Sequence, residues 1–563
     1  MDNFELVKKN SLLRRFLEFT FVFAIFFVDG GGAPSHKNES HYLCKAKHYW
    51  QSDWCQGNLF LESADAHLPF YWSIGWLTRW YSLPTVAWLG RMVAWGLLAW
   101  AWLRLARTVI TRPYFGVLAA ALMVVLVRQA HFAGEWIVGG VEGKCFAYVL
   151  VLLGLEGVAC GDWRRCWPLL GLASAFHPIV GGWAVVASAA VWCMEPATRR
   201  LRFISLLPAL LLGGVLAAPG LLPAISLTQQ TAAEVVDEAQ QIYVFDRLPH
   251  HLAPLTQPIH WLANRSMRFG ALIIGFLVMG ILLRRTFCGG QNHPPIQNHQ
   301  PSPDSSALGL ERLMRFAWAT LALSALGFIF EMVFWSQPSL AAQVLRFYWF
   351  RLADIGVPLA LSLAIVYATC RLADQQSRWT VPALVLLGLF PGWFLLSTSV
   401  GRWYDRCPPG ETALVDFAQW QDVCYWAREH TPAESEFLVP RGGQTFKWHA
   451  QRSDVVNWKD IPQDAANIVA WRNRYTDIFY GSQVTRLAQQ KPFRSLAIQG
   501  TERIRELALR YQADYVITIP QPPLQLPIVY ANDTYVVYES GVESHEIHKL
   551  RPEVNFLQNN HAK

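Results

Sequence analysis

Long apolar runs, separated by short arginine-rich loops, constrain this chain more than any other feature. A helix needs about 20 apolar residues to cross a hydrocarbon core of about 30 Å. By this measure the sequence predicts membrane spans at 13–28, 83–103, 114–130, 144–160, 203–223, 269–283, 313–334, 349–370 and 380–399. The apolar segment 167–194 is longer, and His177-Pro178 divides it, so we expect a hairpin of two short helices over 167–176 and 178–194. The chain is therefore predicted to be a polytopic α-helical membrane protein with about eleven membrane segments.

Basic residues predict the orientation of these segments, because cytoplasmic loops carry an excess of arginine and lysine. The basic clusters all fall on one side of the membrane if the hairpin enters and returns. Their members are Lys8, Lys9, Arg14, Arg15, Arg104, Arg107, Arg112, Arg164, Arg165, Arg199, Arg200, Arg202, Arg284, Arg285, Arg371 and Arg378. We therefore expect a cytoplasmic N-terminus and an extracytoplasmic C-terminal domain. A cleaved signal peptide is an alternative interpretation of 13–28, and it leaves the side of the next loop unchanged.

The charge content of the chain changes near Trp403. Charged residues make up 16% of the sequence, against about 25% in a typical soluble protein, and the deficit lies before this point. We predict a transmembrane domain over 1–403, with a long first outer loop (29–82) and a disordered cytoplasmic loop (286–311), and a soluble mixed α/β domain over 404–563. The net charge of +7 is spread through short loops as arginine, which indicates membrane topology and not nucleic-acid binding.

The C-terminal domain has alternating helical and strand patterns. We predict helices over 417–429 and 503–511, strands at 437–440 and 513–519, and a hairpin of 528–530 with 535–538 around the Asn532-Asp533 turn. Asn457-Trp458-Lys459 is the best candidate for a surface motif, with a structural role favoured. Cysteine pairs Cys44 with Cys55 and Cys407 with Cys424 are candidates for disulfide bonds in an oxidising compartment. Since this domain has no Gly-rich phosphate loop, we interpret it as an acceptor-binding or structural cap.

Titratable side chains gather on the predicted outer side of the membrane. Ionisable groups at membrane depth are costly and tend to mark function. The first outer loop contains the carboxylates Asp29, Glu39 and Asp65 together with His41 and His67. Carboxylates and histidines can supply a general base or a metal site, but their spacing matches no defined zinc motif, so a divalent metal stays possible and unassigned. The alternative is a hydrated loop whose charges only solvate it.

Further polar residues lie at the predicted outer ends of spans. They are Glu142, Lys144, His177, His250, His251, Arg346, Arg351 and Asp354, with Glu135 as a further ionisable group at a span end. A helix N-terminus favours anions, and guanidinium groups can grip a diphosphate bidentately. These residues are therefore candidates for substrate binding. Snorkelling of Lys144, head-group anchoring by the arginines and a plain surface patch around His250 remain the alternatives.

The arrangement resembles the GT-C superfamily of membrane glycosyltransferases. The matching features are the long acidic first outer loop, about eleven spans with short or broken helices, and the outer soluble domain. The resemblance is carried locally by NESHYLCKAKHYW, SADAHLPFYW, EGKCFAY and RLPHHL. It implies transfer of a sugar from a polyprenyl-phosphate donor to a glycan, lipid or protein acceptor on the outer face, with inversion.

The same resemblance implies roles for individual residues. An acidic residue of the first outer loop acts as general base, for which Glu39 and Asp65 come first and Asp29 third, and Arg346 and Arg351 contact the lipid phosphate. The compact pair of acidic residues expected just after the first span is absent from this sequence. A transporter or flippase-like carrier and a non-catalytic membrane assembly factor are the alternative functions.

Overall fold

The structure is a computed structural model that describes residues 3–229, 231–288, 303–412, 414–481, 487 and 490–541. The chain divides into two compact units. The first, called the membrane unit here, comprises Met1–His36, Asp65–Leu77 and Pro84–Arg406. The second, called the sheet unit, comprises Lys37–Ala64, Thr78–Leu83 and Cys407–Lys563. Most of the first loop thus groups with the C-terminal residues and not with the helices that flank it.

The described residues are mostly helical. The helices are α1 (Asn3–Gly30), α2 (Glu39–Trp50), α3 (Leu59–Glu62), α4 (Leu68–Trp72), α5 (Leu83–Arg107), α6 (Phe115–Ala130), α7 (Gly143–Cys160), α8 (Trp163–Phe176), α9 (Pro178–Cys193), α10 (Phe203–Ser226), α11 (Ala233–Gln241), α12 (Pro249–Leu252), α13 (Ile259–Cys288), α14 (Pro303–Val333), α15 (Pro338–Leu345), α16 (Ala353–Asp374), α17 (Thr380–Tyr404), α18 (Phe417–His430), α19 (Phe446–Ala450), α20 (Ala465–Tyr480) and α21 (Thr501–Tyr511). Short 3-10 helices lie at Ile74–Arg79, Pro254–Thr256 and Leu496–Gln499, and a π-helical turn lies at Ile242–Arg247.

The predicted membrane segments are all helices in the described chain. Seven of them are long and apolar enough to cross a membrane, namely α5, α7, α10, α13, α14, α16 and α17, and α6 and α9 are shorter apolar helices. The protein is therefore an integral membrane protein of multi-pass helical type, as predicted. Of the predicted loop 286–311, residues 286–288 continue α13 and residues 303–311 begin α14, while 289–302 lie outside the described residues.

The break at His177 is the one that the His-Pro pair predicts. Helix α8 ends at Phe176 and α9 begins at Pro178, and the backbone N–H of Val180 donates to His177 Nδ1 over 3.3 Å. Gly181 lies so close to Ser174 that a Cβ on the glycine would come within 2.5 Å of that residue. The two helices therefore turn back on each other at His177, because glycine allows close contact beside the break.

The described residues of the sheet unit form five strands: β1 (Glu436–Leu438), β2 (Ser453–Asp454), β3 (Tyr515–Thr518), β4 (Ile528–Ala531) and β5 (Val536–Glu539). Their order is β2-β1-β3-β5-β4, with β1 parallel to β2 and β3, and with β5 antiparallel to β3 and β4. Both predicted helices, both predicted strands and the hairpin are present. The core beneath the sheet includes Trp420, Cys424 and Phe437.

Cysteines in the described chain form no disulfide bond. Cys44, Cys55 and Cys424 are buried, and Cys407 is partly buried. Burial is the first cause that raises the pKa of the Cys44 and Cys55 thiols above the usual range. These thiols are therefore protonated at neutral pH in this structure.

Candidate functional site

The loop between α6 and α7 is held by a single carboxylate. Asp354, buried in the first turn of α16, accepts hydrogen bonds from the backbone N–H groups of Phe132, Ala133 and Glu135 at 2.6, 2.9 and 3.0 Å. A carboxylate that accepts several N–H groups makes strong, charge-assisted hydrogen bonds. Asp354, predicted as a substrate ligand, is thus occupied in fixing the loop and positions the side chains that follow.

Four charged residues meet where this loop joins α7. Lys144 Nζ lies 3.0 Å from Glu142 Oε1 and 3.4 Å from Glu135 Oε1. The other oxygen of Glu135, Oε2, lies 2.7 Å from Arg351 Nε. We call Glu135, Glu142, Lys144 and Arg351 the charged cluster. Its carboxylate and lysine side chains are at most 6% exposed, so its charges are balanced within the protein and not by water.

Aromatic rings cover both cations of the charged cluster. Lys144 Nζ lies 3.9 Å from the ring centre of Trp136, and the Arg351 guanidinium lies 3.9 Å from that of Tyr348. The Tyr348 hydroxyl is 2.7 Å from the hydroxyl of Tyr243. Cation–π contacts of this kind are stronger where water is excluded. Each of the two cations in the cluster therefore has an aromatic ring beside it.

Histidines border the charged cluster. Arg351 Nη1 is 3.4 Å from His177 Nε2, and the His177 ring lies 6.4 Å from the ring of His67. His251 contacts the Ala133 carbonyl through Nδ1, and its ring lies 4.0 Å from that of His250. Burial, and then the neighbouring His250, lowers the pKa of His251 well below its usual value. His251 is therefore neutral at pH 7 and serves as a hydrogen-bonding group of the loop.

Gly134 allows the close approach of His251. Its φ is +78°, a conformation that favours glycine, and a Cβ there would lie 3.2 Å from the His251 Cε1 atom. The loop geometry thus depends on glycine at this position.

Arg346, a predicted substrate ligand, caps the C-terminal end of α15. Its guanidinium is 5.1 Å from the ring centre of Phe347. Burial lowers the pKa of Arg346, while Tyr243 acts in the opposite direction. Among the described residues no carboxylate lies within ion-pair distance of it. Tyr243 also interacts electrostatically with Arg351, so this tyrosine is near both arginines.

The three predicted catalytic carboxylates have different surroundings. Asp29 is buried and its two oxygens accept from Arg128 Nε at 2.8 and 3.1 Å. Glu39 is fully buried in the first turn of α2, in the sheet unit. Asp65 is partly exposed and belongs to the membrane unit. Burial, and then the Asp65 carboxylate, raises the pKa of Tyr71, so Asp65 lies close to that tyrosine.

A second buried polar network belongs to the sheet unit. Lys447 Nζ pairs with Asp454 and lies 2.8 Å from Asp460 Oδ2. Asn457 Nδ2 donates to both of these carboxylates at 2.8 Å. The prediction of a surface motif is therefore wrong at Asn457, because this residue is buried. Its hydrogen bonds to two buried carboxylates agree with the structural role that the sequence favoured.

His41, predicted as a substrate ligand, joins this network. Its Nδ1 atom lies 3.1 Å from Asp460 Oδ1, and its ring stacks on Phe60 with centroids 4.3 Å apart. Burial alone would raise the pKa of Asp460, but Lys447 and then His41 lower it below its usual range. The network is charged and internally paired, as expected of a structural element.

Sequence reasoning left Glu135, Trp136, Tyr243 and Tyr348 out of the site. Glu135 carried a signal, since it is a carboxylate at a span end flanked by Trp136 and followed by Gly139-Gly140. Tyr348 carried none, because its place over Arg351 depends on a positive φ of 56° just before α16.

The residues of the charged cluster do not suit a divalent metal ion. In the described part of the chain no three His, Cys, Asp or Glu side chains converge to hold one. Glu135 and Glu142 share Lys144 between them, so a divalent cation would meet an ammonium group at the same oxygens.

Comparison with known proteins gives a family model and several solved structures. The model described as "Domain of unknown function (DUF6798)" matches residues 418–478, within the sheet unit. No curated protein matches the sequence significantly.

Several solved structures align with most of this chain. The archaeal oligosaccharyltransferase AglB from Archaeoglobus fulgidus, in complex with an inhibitory peptide and a dolichol-phosphate, is 10% identical over 89% of this chain and 69% of that chain, with a TM-score of 0.47. The Archaeoglobus fulgidus oligosaccharyltransferase in complex with Zn and sulfate is 12% identical over 89% and 67%, with a TM-score of 0.42. ArnT from Cupriavidus metallidurans bound to undecaprenyl phosphate is 13% identical over 95% and 98%, with a TM-score of 0.34. For all three structures the identity is at most 13% and the TM-score is below 0.5.

Proposed function

We propose that the charged cluster is the site at which a sugar is transferred from a polyprenyl-phosphate donor to a glycan, lipid or protein acceptor. The observation that carries the proposal is the convergence of Lys144, Arg351 and His177, all from ends of apolar helices, on one buried point. Cationic groups at membrane depth are stabilised by an anionic partner. On the predicted topology this end of the membrane unit faces the outside, with the C-terminal domain on the same side.

We assign the donor phosphate to Arg346 and Tyr243, next to Arg351. Arg346 is half-buried, and burial disfavours its charge, so a bound phosphate would compensate for lost hydration. Its planar guanidinium suits two phosphate oxygens. Lys144 and His177 would contact the sugar or its phosphate, while Asp354, His250 and His251 position the loop.

Asp65 is the general base in this proposal. Of the three candidates it alone combines partial exposure with membership of the membrane unit. It precedes His67 by two residues, and the His67 ring lies 6.4 Å from that of His177. Asp29 is held by Arg128, and Glu39 has no exposed surface, so neither is accessible to an acceptor hydroxyl or amide.

Transfer of labelled sugar from a panel of polyprenyl-phosphate donors by the purified full chain tests this proposal. Because general-base catalysis contributes about 10²–10⁴-fold, Asp65→Asn should lower kcat by that factor with an unchanged melting temperature. Arg346→Gln should raise KM for the donor with a smaller effect on kcat. Glu39→Gln, assayed per folded molecule, is the matched control and should keep its activity. Equal kcat for Asp65→Asn and the parent would refute the assignment of the base.

A non-catalytic assembly factor is a second candidate, because the charged cluster is internally balanced. Glu135 and Glu142 are each paired with a cation, an arrangement that also serves a purely structural role. Absence of transfer from every donor, together with a lower melting temperature for Glu142→Gln, would favour this second function.

A further inference from the structure

The membrane unit has a large cavity at the end of α7 that lies far from the charged cluster. Lys144 and Cys160 are at opposite ends of this helix, roughly 24 Å apart at 1.5 Å per residue. The cavity has a volume of about 630 Å³, within the range of small-molecule sites. Its walls come from α1, α5, α7 and α14. It is therefore independent of the site proposed for sugar transfer.

Guanidinium groups dominate the polar part of this cavity. Arg15, Arg104, Arg107 and Arg312 line it, whereas Glu156 is the carboxylate among the lining residues. Four cations thus face one anion. A cavity with this balance attracts negative charge.

Ion pairs behind the wall do not remove the excess. Glu156 is shared by Arg104 and Arg165, both at 2.8 Å. Arg107 pairs with Glu18 at 2.7 Å, and Arg312 pairs with Glu195 at 3.0 Å. Arg315 also lies 3.5 Å from Glu195 and 2.5 Å from Glu311. Together with Arg15, this makes six guanidinium groups against four carboxylates, an excess of two positive charges.

Donor groups remain available at the cavity. The hydrogen bonds of Arg104 to Glu156 use Nε and Nη2, and Arg107 donates to Glu18 through Nη2. Since each guanidinium carries five N–H donors, several are left over. In the described part of the chain no carboxylate lies within ion-pair distance of Arg15.

Part of the remaining wall is apolar. Trp100, Ala159 and Leu308 line the cavity beside the arginines, and the Trp100 ring lies 5.3 Å from the Arg104 guanidinium. A tryptophan next to basic residues at a helix end is typical of the lipid head-group region. The cavity thus offers a cationic surface and an apolar surface side by side.

We infer that this cavity binds the phosphate group of an anionic phospholipid from the surrounding leaflet. The arginines hold the phosphate oxygens, and the apolar wall accommodates the adjoining glycerol and acyl carbons. On the predicted topology this is the cytoplasmic leaflet, which carries the anionic lipids. Free phosphate offers the same charge without the carbon chain, so the test includes it.

The experiment uses the purified full chain in a neutral detergent. Phosphatidylglycerol, phosphatidylcholine or inorganic phosphate is titrated in, and the melting temperature and the retention of lipid in native mass spectrometry are recorded. Since a ligand that binds the folded state stabilises it, phosphatidylglycerol should raise the melting temperature more than phosphatidylcholine does. Arg15→Gln should weaken apparent binding about fivefold, the factor that corresponds to about 1 kcal/mol for one basic residue near the surface.

Arg14→Gln is the matched control, since Arg14 is exposed on the same helix but does not line the cavity. The control should bind phosphatidylglycerol as the parent does. Equal weakening in both variants would refute a site in the cavity, because it would indicate general surface attraction. Equal stabilisation by phosphatidylcholine, or by the same concentration of inorganic phosphate, would also overturn the inference of an anionic lipid. None of these outcomes depends on sugar-transfer activity.

Discussion

Replacement of Asp354 by asparagine should release the loop between α6 and α7. In the parent protein Oδ1 accepts from Phe132 N–H, and Oδ2 accepts from the N–H groups of Ala133 and Glu135. Asparagine has one acceptor oxygen, so it keeps the two hydrogen bonds of Oδ2 at best. Its amide nitrogen then faces the N–H of Phe132, two donors without an acceptor.

The free-energy cost of Asp354→Asn follows from the hydrogen bonds that it loses or weakens. A hydrogen bond to a charged group contributes about 1.5–3 kcal/mol, against about 1 kcal/mol for a neutral one. Loss of one charged bond and weakening of two others therefore amount to about 3 kcal/mol. At 1.4 kcal/mol for each factor of ten, the opening equilibrium of the loop should rise roughly 100-fold.

Hydrogen exchange with mass spectrometry on peptides from residues 131–142 measures this opening. The matched control is Asp374→Asn on the same helix, where the carboxylate pairs with Arg112 at 2.6 Å but is 48% exposed. An exposed ion pair contributes at most about 1 kcal/mol, so exchange in 131–142 should not change. Equal protection in Asp354→Asn and the parent would refute the role given to Asp354.

Three further changes have defined outcomes. Lys447→Met should lower the free energy of unfolding by about 3–5 kcal/mol in a denaturant titration, because Asp454 and Asp460 lose their buried cation. Glu436→Gln should raise the melting temperature at pH 8 and leave it unchanged at pH 4. Gly134→Ala should speed hydrogen exchange in 131–142, since a positive φ costs alanine about 1–2 kcal/mol and the new methyl group meets the His251 ring.

The sign of the pH effect comes from the pKa of Glu436. Burial is the main cause that raises this pKa from 4.5 to about 8. Between these two pH values the unfolded chain releases a proton that the folded chain keeps, so stability falls as pH rises. A flat pH profile for the parent, or the same profile for Glu436→Gln, would contradict this. Glu434→Gln, at an exposed position, is the control.

Controls for the other two changes come from the same chain. Lys491 is exposed, so Lys491→Met should change the free energy of unfolding by no more than about 0.5 kcal/mol. Gly57 has φ +85° with nothing within 4 Å of an added Cβ, so Gly57→Ala shows the cost of the backbone conformation alone. A Gly134→Ala effect on its own loop no larger than that of Gly57→Ala would refute the steric contact with His251.

The sequence predicted the helices because their signals are local. Apolar runs locate the spans, and one Pro after His177 locates the break between α8 and α9. The sequence signals for strands β1 and β3 and for the hairpin are equally local. By contrast, β2 consists of two residues, Ser453 and Asp454, which is too short for any periodicity to show.

The candidate site was predictable only in part, because its members meet across long separations. Lys144, Arg351 and His177 were singled out as ionisable groups at span ends, and the structure brings these three together. Glu135 was noted as an ionisable group at a span end but was not assigned to the site, because its partners lie 9 and 216 residues further along the chain. The burial of Asn457 was not predicted either, because it depends on how the chain packs around Asp454 and Asp460.

Photocrosslinking tests the central claim most directly. A polyprenyl phosphate with a diazirine on its first isoprene unit is irradiated with the full chain in lipid nanodiscs, and the adducts are mapped by peptide mass spectrometry. We predict adducts in 131–148 and 343–351 that excess unlabelled polyprenyl phosphate suppresses and that Arg346→Gln weakens. Adducts spread evenly over the lipid-facing helices, or adducts at this end that unlabelled polyprenyl phosphate does not suppress, would contradict a donor site at the charged cluster.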